Sequence, residues 1–371
     1  QILIEYLNSS YFGNRLQGFE TASRAYFNVS ASKLRDEQVL QLLATLSNPS
    51  YQSPTSETNI PLASNLAEQL KIEINLNNFV KPEVVRENLK EFLNWSDGFE
   101  LSQFLEKVES GNHKLTVDLK LTQEIREIRR STMPSFYDRD AHNAAVVVLN
   151  ANTNEILAIV GTPDPKSELH GQQINMALAP RQIASTVKPF IYLKAFEDGM
   201  RPDTLIDDSE YEFRTADGRL LNLRNYDNKY HGMVTAAYAL SNSINVPSVK
   251  TLEQIGLNNF KDFLAILNYS ALDKVDEHQL GVALGTLPFT LLELTHDYSI
   301  FPRGGNYSSL KLFVSQKTND RIFPKVDRQI IDKKYVELIT EILSDRRIAT
   351  DQFGYVSNLS LPISNYALKT G

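Results

Sequence analysis

Cysteine is absent from the 371 residues. That excludes a disulfide framework, a cysteine-ligated zinc site and a thiol nucleophile. No apolar run approaches the roughly 20 residues needed to span a bilayer. No signal peptide opens the chain, and the first residue is Gln1 rather than Met. The expectation is a fragment that begins inside a longer protein, so a membrane anchor in the parent is not excluded. Positive charge is in deficit: 38 Lys and Arg stand against 45 Asp and Glu, for a net charge of -7. No basic stripe marks a nucleic-acid binder, so no nucleic-acid partner is expected. His231 has no second His or carboxylate at metal spacing, and Asp227 is its one neighbour. The expectation is no metal and no cofactor. Internal repeats and low-complexity tracts are also missing.

What is present suits a globular protein of two or three domains. Hydrophobic residues make up 42% and charged residues 22%. Residues 1–52 read as helical, with Leu34, Val39, Leu42 and Leu43 at helical spacing and a break at Asn48-Pro49-Ser50. Residues 53–111 are polar and mixed. They read as a linker region carrying helices, one of them from Val84 to Trp95. A new unit starts near Leu115 and is taken as 112–371. It opens with an amphipathic helix over Asp118 to Arg130. The runs Ala144 to Leu149 and Glu155 to Gly161 flank an Asn-rich turn and predict a hairpin. Long helices are predicted over Ser185 to Asp198, Thr235 to Gln254 and Phe289 to Phe301. This pattern suggests an α+β domain with helices on the faces of a sheet.

Three short patterns carry chemistry. Ser-x-x-Lys occurs at Ser30/Lys33, Ser185/Lys188 and Ser308/Lys311, so alone it is weak. Only Ser185/Lys188 opens an apolar helix, with Phe190, Ile191, Leu193 and Phe196 behind it. Residues three apart share a helix face, so the Lys188 amine can reach the Ser185 hydroxyl. Helix-start N–H groups stabilise a developing oxyanion. A lysine acts as a base only when burial or a nearby cation lowers its pKa, and Lys369 could be that cation. The bland alternative is a capping serine and a solvated lysine. Ser-x-Asn occurs at Ser110/Asn112, where the composition suits a turn, and at Ser243/Asn245, inside an apolar helical stretch. The alternative for Ser243/Asn245 is a helix-terminal cap before Val246-Pro247. Lys369-Thr370-Gly371 follows the strand-like Tyr366-Ala367-Leu368. There Thr370 could offer a hydroxyl to a carboxylate, and Gly371 a close backbone approach. A serine with a lysine one turn on, then Ser-x-Asn, then Lys-Thr-Gly, in that order, is the kit of an active-site-serine acyl transferase.

With these residues in view, the chain resembles a class A penicillin-binding protein, a bifunctional peptidoglycan synthase, over nearly its whole length. Gln182 to Phe190 is similar to the family's nucleophile segment, which often has Gly where this chain has Ala184. Thr116-Val117-Asp118-Leu119 resembles the start of the transpeptidase domain. Tyr226 to Gly232 is most similar to the penicillin-binding protein 1C branch. Ile2 to Asn8, Tyr11-Phe12-Gly13, Gly18-Phe19-Glu20, Tyr26-Phe27 and Leu46 to Ser50 resemble the end of the family's glycosyltransferase domain.

The resemblance implies a transpeptidase/serine β-lactamase-like α+β domain, an antiparallel sheet with helices on both faces. It also implies an all-α remnant of a lysozyme-like glycosyltransferase domain before it. Ser185 would attack a D-Ala-D-Ala stem peptide, and Lys188 would take its proton. Ser243, bonded between Lys188 and Lys369, would pass a proton to the leaving D-Ala. Asn245 would orient the substrate amide, and Lys369, Thr370 and Gly371 would hold the terminal carboxylate end. Ser185 N–H would supply half the oxyanion hole, the family's other donor being the residue after Gly371. Glu5 and Glu20 match neither of the family's catalytic glutamates, so glycan polymerisation is expected of the parent alone. The implied partners are peptidoglycan stem peptides, lipid II-derived glycan strands for the parent, and β-lactams. The implied location is the periplasmic face of the bacterial inner membrane.

Two rivals stay open. A serine β-lactamase would place an Asn four residues after a deacylating glutamate, but Glu277 is followed there by Gly281. A non-catalytic penicillin-binding sensor or scaffold would keep the fold without the chemistry.

Overall fold

The computed structural model describes residues 2–14, 16–94, 100, 101, 104, 108, 113–162, 171, 172, 174–214, 218, 220–323 and 325–371. Trp95, the Ser110/Asn112 pair and the expected boundary at 111/112 lie outside the described residues. The chain divides into two compact units, Gln1–Phe99 and Glu100–Gly371.

The first unit is built from α1 (Ile2–Ser9), α2 (Phe19–Phe27), α3 (Asp36–Thr45), α4 (Asn59–Leu70) and α5 (Pro82–Asn94). Of the stretch 53–111 read as a linker, residues 53–94 are packed into this unit, and Glu100, Leu101 and Phe104 belong to the second. Val85 and Leu89 of α5 pack on Phe12, Tyr26 and Leu42. Ala63 and Ala67 of α4 pack with Phe79 on Leu40 and Ala44 of α3. Polar ties join the same segments. The Gln41 amide donates to Val80 O (2.9 Å) and accepts from Val80 N (3.1 Å). The Asn59 amide donates to Gln41 O at 2.9 Å and to Gln52 O at 2.7 Å. Small alanines at the contact let the helices approach closely, which is why this stretch carries little hydrophobic signal. Glu20 is used structurally: it pairs with Arg24 at 2.6 Å and accepts from Ala31 N at 2.7 Å.

The first described element of the second unit is α6 (Leu119–Thr132), whose start is fixed by the Asp118 carboxylate accepting from Leu121 N at 3.0 Å. The expected hairpin follows, with β1 (Val146–Leu149) antiparallel to β2 (Ile156–Val160). Asn150 Oδ1 accepts from Asn152 N (2.9 Å) and Thr153 N (3.2 Å) and so closes the turn between them. β3 (Arg181–Gln182) leads through a 3-10 turn over Ala184–Val187 into α7 (Lys188–Glu197). Then come β4 (Leu205–Asp208), β5 (Tyr211–Arg214), β6 (Leu220–Leu223) and β7 (Gly232–Thr235). Next are α8 (Ala236–Ser241), α9 (Asn245–Ile255), α10 (Leu257–Ile266) and α11 (Asp273–His278). They are followed by β8 (Pro288–Phe289), α12 (Leu291–Tyr298), β9 (Asn306–Ser308), α13 (Gln316–Ile322) and β10 (Asp327–Gln329). α14 (Lys333–Ser344) and α15 (Thr350–Phe353) complete the elements.

Helices and antiparallel strands make this the expected α+β domain. Among the described residues the strands pair two by two: β1 with β2, β3 with β8, β4 with β7, β5 with β6 and β9 with β10. Tyr366-Ala367-Leu368, expected as a strand, has no ladder there. Its backbone tie is Leu368 N to Leu343 O, 3.3 Å, at the end of α14.

The core places the site. α7 is buried along its whole middle, with Phe190, Ile191, Tyr192, Leu193 and Phe196 at most 2% exposed. Side chains of this size contribute about 1.5–3 kcal/mol each when fully buried. The helix behind Ser185 is therefore a rigid mount. The predicted helix over Thr235 to Gln254 is two helices. Thr235 caps α8 by accepting from Tyr238 N at 3.2 Å, and the chain then breaks at Asn242 to Ile244 before α9.

Candidate active site

Ser185 lies in the 3-10 turn at the head of α7, and two backbone bonds fix that turn. Ile183 N and Ala184 N both donate to Gly285 O, at 3.0 and 3.1 Å. Ala184 sits at φ +47°, where an L-residue is strained and glycine is not. Tyr298 OH donates to Thr186 O at 2.6 Å from the α12 side. The Ser185 hydroxyl is half-buried, and among the described residues it forms no hydrogen bond. It is free to meet a ligand.

Lys188 is 0% exposed. Its ammonium donates to Ser243 O (2.6 Å), Ile244 O (3.1 Å) and Asn245 Oδ1 (2.8 Å). Those acceptors come from the break between α8 and α9. Ser243 adopts φ +58° and Ile244 is extended, so two successive carbonyls turn toward the lysine. A capping role for the Ser243 hydroxyl is therefore not what the fold uses. Burial first, and the Lys369 charge second, push the Lys188 pKa well below the ordinary lysine value.

Lys369 Nζ donates to Ser243 Oγ at 2.9 Å and to Thr370 O at 2.7 Å. Burial lowers its pKa to about 7. Gly371 lies against the Ser185 turn: a Cβ there would stand 2.8 Å from Ile183 O and 2.8 Å from the Thr186 methyl. The terminal tripeptide thus meets both the Ser243 hydroxyl and the Ser185 turn. Lys188, Ser243, Asn245 and Lys369 are joined by hydrogen bonds, and Gly371 lies against the turn that carries Ser185, but the expected hydrogen bond between Lys188 and the Ser185 hydroxyl is not formed among the described residues. Thr370 enters through its carbonyl, and its hydroxyl makes no hydrogen bond among the described residues.

One detail differs from expectation. Ser243 is not bridged between two lysines through its hydroxyl. Lys369 takes the hydroxyl, whereas Lys188 takes the backbone carbonyl, because the left-handed turn at Ser243 points that carbonyl inward. Asn245 is also already engaged, with Oδ1 on Lys188 and Nδ2 donating to Arg224 O at 2.9 Å.

Sequence reasoning passes over four residues. Asn225 Oδ1 accepts from Asn245 N at 2.9 Å, and its amide donates to both oxygens of buried Asp208, at 2.9 and 2.8 Å. Buried Asn242 donates to Ile348 O (2.6 Å) and accepts from Gln352 N (3.1 Å), tying the Ser243 turn to the segment leading into Lys369. Gly285 gives no signal in the sequence, because its use depends on a distant backbone. His231, read as bound by Asp227, has Nε2 3.3 Å from Asp227 Oδ2 and Nδ1 2.8 Å from Asp208 Oδ2. No group that could hold a metal ion occurs among the described residues.

These features, a buried lysine near a serine turn and a second lysine on a second serine, are an arrangement suited to acyl transfer. Comparison with known proteins agrees. The family model of the penicillin binding protein transpeptidase domain matches residues 144–371. The transglycosylase model matches residues 1–72. The chain belongs to the penicillin-binding protein family and, with both domains represented, to its class A.

Penicillin-binding protein 2D of Bacillus subtilis (strain 168) is 26% identical over 405 residues, covering 100% of this chain and 56% of that protein. Penicillin-binding protein 1C of Escherichia coli (strain K12) is 26% identical over 384 residues, covering 100% of this chain and 47% of that protein. Penicillin-binding protein 1A of Neisseria flavescens is 34% identical over 164 residues, covering 43% of this chain and 20% of that protein. The crystal structure of penicillin-binding protein 1A from Haemophilus influenzae shares the fold. Its TM-score is 0.58 at 16% identity, over 92% of this chain and 72% of that one. The chain spans about half the length of the first two relatives, each matched along the whole chain. The transglycosylase match runs past residue 52, in line with the packing of α4 on α3.

Proposed function

We propose that the second unit is a serine D,D-transpeptidase that cross-links peptidoglycan stem peptides and is acylated by β-lactams. The observation that carries this reading is the Lys369–Ser243 bond, made while Gly371 lies against the Ser185 turn. Three motifs far apart in the chain then serve one pocket. Ser185 Oγ attacks the penultimate D-Ala carbonyl and gives its proton to Lys188, whose pKa is lowered by burial and by the Lys369 charge, which favours the free amine. Ser243 Oγ accepts from the Lys369 ammonium, and it delivers its proton to the leaving D-Ala nitrogen as the C–N bond breaks and takes one back from Lys369. An acceptor amine then attacks the acyl-enzyme and restores Ser185. Lys369 and Thr370 hold the terminal carboxylate, with Gly371 lining the same end of the pocket. The second N–H of Asn245 remains for the substrate amide, and Ser185 N supplies one oxyanion donor.

The whole protein would also polymerise lipid II-derived glycan strands and act at the periplasmic face of the inner membrane. Among the described residues no helix is long and apolar enough to cross a membrane. A β-lactamase reading gains nothing from the geometry. Glu277 is exposed on α11 and paired with Lys274 at 2.8 Å. The test is labelling with a fluorescent penicillin. A stable adduct that disappears in Ser185→Ala supports the reading. Rapid turnover would favour the lactamase, and no adduct at all would favour a non-catalytic scaffold.

A further inference from the structure

The N-terminus of α9 carries both Asn245 and the turn that surrounds Lys188, and it is not capped by its own chain neighbour. Ile244 occupies the cap position, and no side chain there accepts a hydrogen bond. The acceptor comes from elsewhere: Asn225 Oδ1 takes Asn245 N at 2.9 Å and Val246 N at 3.4 Å. A first-turn amide left unpaired would be costly in a buried position, so this contact fixes the start of the helix.

Asn225 is itself held at its other end. Its Nδ2 meets Asp208 Oδ1 and Oδ2 at 2.9 and 2.8 Å and Lys229 O at 2.8 Å. Asp208 is 0% exposed at the end of β4, and it also accepts from His231 N at 2.8 Å. The amide therefore cannot flip. With Nδ2 on the carboxylate, the carbonyl must face α9. The neighbouring Arg224 O then takes Asn245 Nδ2 at 2.9 Å, which turns Asn245 Oδ1 onto Lys188. One loop sets both the backbone and the side chain of Asn245.

We propose that Asp208 and Asn225 form a positioning pair that orients Asn245 and, through it, sets the protonation and aim of the Lys188 amine. Neither side chain of the pair hydrogen-bonds to Ser185, Lys188 or Lys369; the pair acts through Asn245. Among the described residues, the charged group that acts directly on Lys188 is the Lys369 ammonium. Lys369 approaches from the terminal segment, and Asp208 lies at the end of β4 with His231 and Asp227 behind it. Tyr192 lies on the lysine's own helix, near enough to Asp208 for its hydroxyl to feel that charge. Asp208 holds Asn225, Asn225 holds the backbone N–H of Asn245, and the Asn245 side chain in turn meets Lys188.

Loss of these contacts has a defined direction. Asn245 Oδ1 is one of three acceptors for the Lys188 ammonium, and an acceptor favours the charged form. Releasing it makes the proton easier to lose, so the Lys188 titration moves to lower pH. The plateau rate falls at the same time, because an amine misplaced by about 1 Å costs on the order of a hundredfold.

This inference rests on the acyl-transfer reading for its rate effects but not for the titration. The experiment therefore measures both on the full chain. Lysine labelled with 13C at Cε gives the Lys188 titration by NMR, assigned by loss of its signal in Lys188→Met. Fluorescent penicillin gives acylation against pH. Asn225→Ala and the near-isosteric Asp208→Asn should both move the Lys188 titration to lower pH. They should also lower the acylation plateau, by about a hundredfold for Asn225→Ala, as for a misplaced amine, and by less for Asp208→Asn. Asp227→Asn, which reaches His231 but not Asn225, should move neither.

An unmoved Lys188 titration in a folded Asp208→Asn protein would overturn the positioning role, as would a rate loss of one constant factor at every pH. If Asn225→Ala does not fold, Asp208→Asn decides the matter. Wild-type protein that titrates as described but takes up no penicillin would sink the acyl-transfer reading and leave the positioning pair standing.

Discussion

Gly285→Ala should disable the nucleophile turn from outside it. Gly285 sits at φ +71°, and a Cβ there would fall 1.9 Å from Ala184 O and 2.4 Å from Ala184 N. These are backbone atoms, so no rotamer change relieves the clash. An L-residue in this conformation costs about 1–2 kcal/mol. Moving the turn away breaks the bonds from Ile183 N and Ala184 N, at about 0.5–1.5 kcal/mol each. The sum is about 2–5 kcal/mol, a large part of the roughly 5–15 kcal/mol that holds a domain together. For a unit of this size that is a drop of about 10 °C in Tm. Ser185 would also shift relative to Lys188, and acylation should slow by about a hundredfold or more. Thermal unfolding followed by circular dichroism and penicillin uptake measure the two effects. A variant with Tm within about 2 °C of wild type and unchanged uptake would refute the argument that Gly285 is required by backbone contact.

Three further perturbations probe other parts of the account. Lys369 titrates near 7 in the folded chain against 10.5 unfolded. The unfolded state therefore holds the proton more tightly in that window, and stability should be lowest below about 7 and rise toward 10.5. Tm measured against pH should show this rise, and Lys369→Met should flatten it. Asn242→Ala leaves Ile348 O and Gln352 N without their partner, so denaturant unfolding should report a loss of about 2–4 kcal/mol. Gln41→Ala strips both backbone partners from Val80 in the first unit. Hydrogen exchange at the Val80 amide should quicken, with a stability loss of about 2–3 kcal/mol; unchanged exchange would mean that residues 76–94 do not depend on α3.

The chemistry-bearing residues are legible in the sequence because their types are rare in such surroundings. A lysine at the head of an apolar helix and a serine and asparagine inside an apolar stretch both demand a reason. The break between α8 and α9 is not legible. Thr235 to Gln254 reads as one helix by periodicity, and only the Lys188 ammonium, from a distant helix, rewards the left-handed turn at Ser243. Asp208 and Asn225 escape for a related reason, since an Asp at a strand end and an Asn in a loop are commonplace until a fold joins them. The stretch after residue 52 reads as a linker because α4 packs through Ala63 and Ala67, which carry little hydrophobic weight. Tyr366 to Leu368 has strand-like composition, but composition does not supply a ladder partner.

The convergence of residues 185, 188, 243 and 369 on one pocket is tested most directly by a crystal structure of the protein soaked with penicillin. Density should run continuously from Ser185 Oγ to the opened lactam carbonyl. The antibiotic carboxylate should sit within hydrogen-bonding distance of Lys369 and Thr370, with Ser243 Oγ beside the former ring nitrogen. An adduct on a different residue, or a carboxylate bound away from Lys369, would contradict the account.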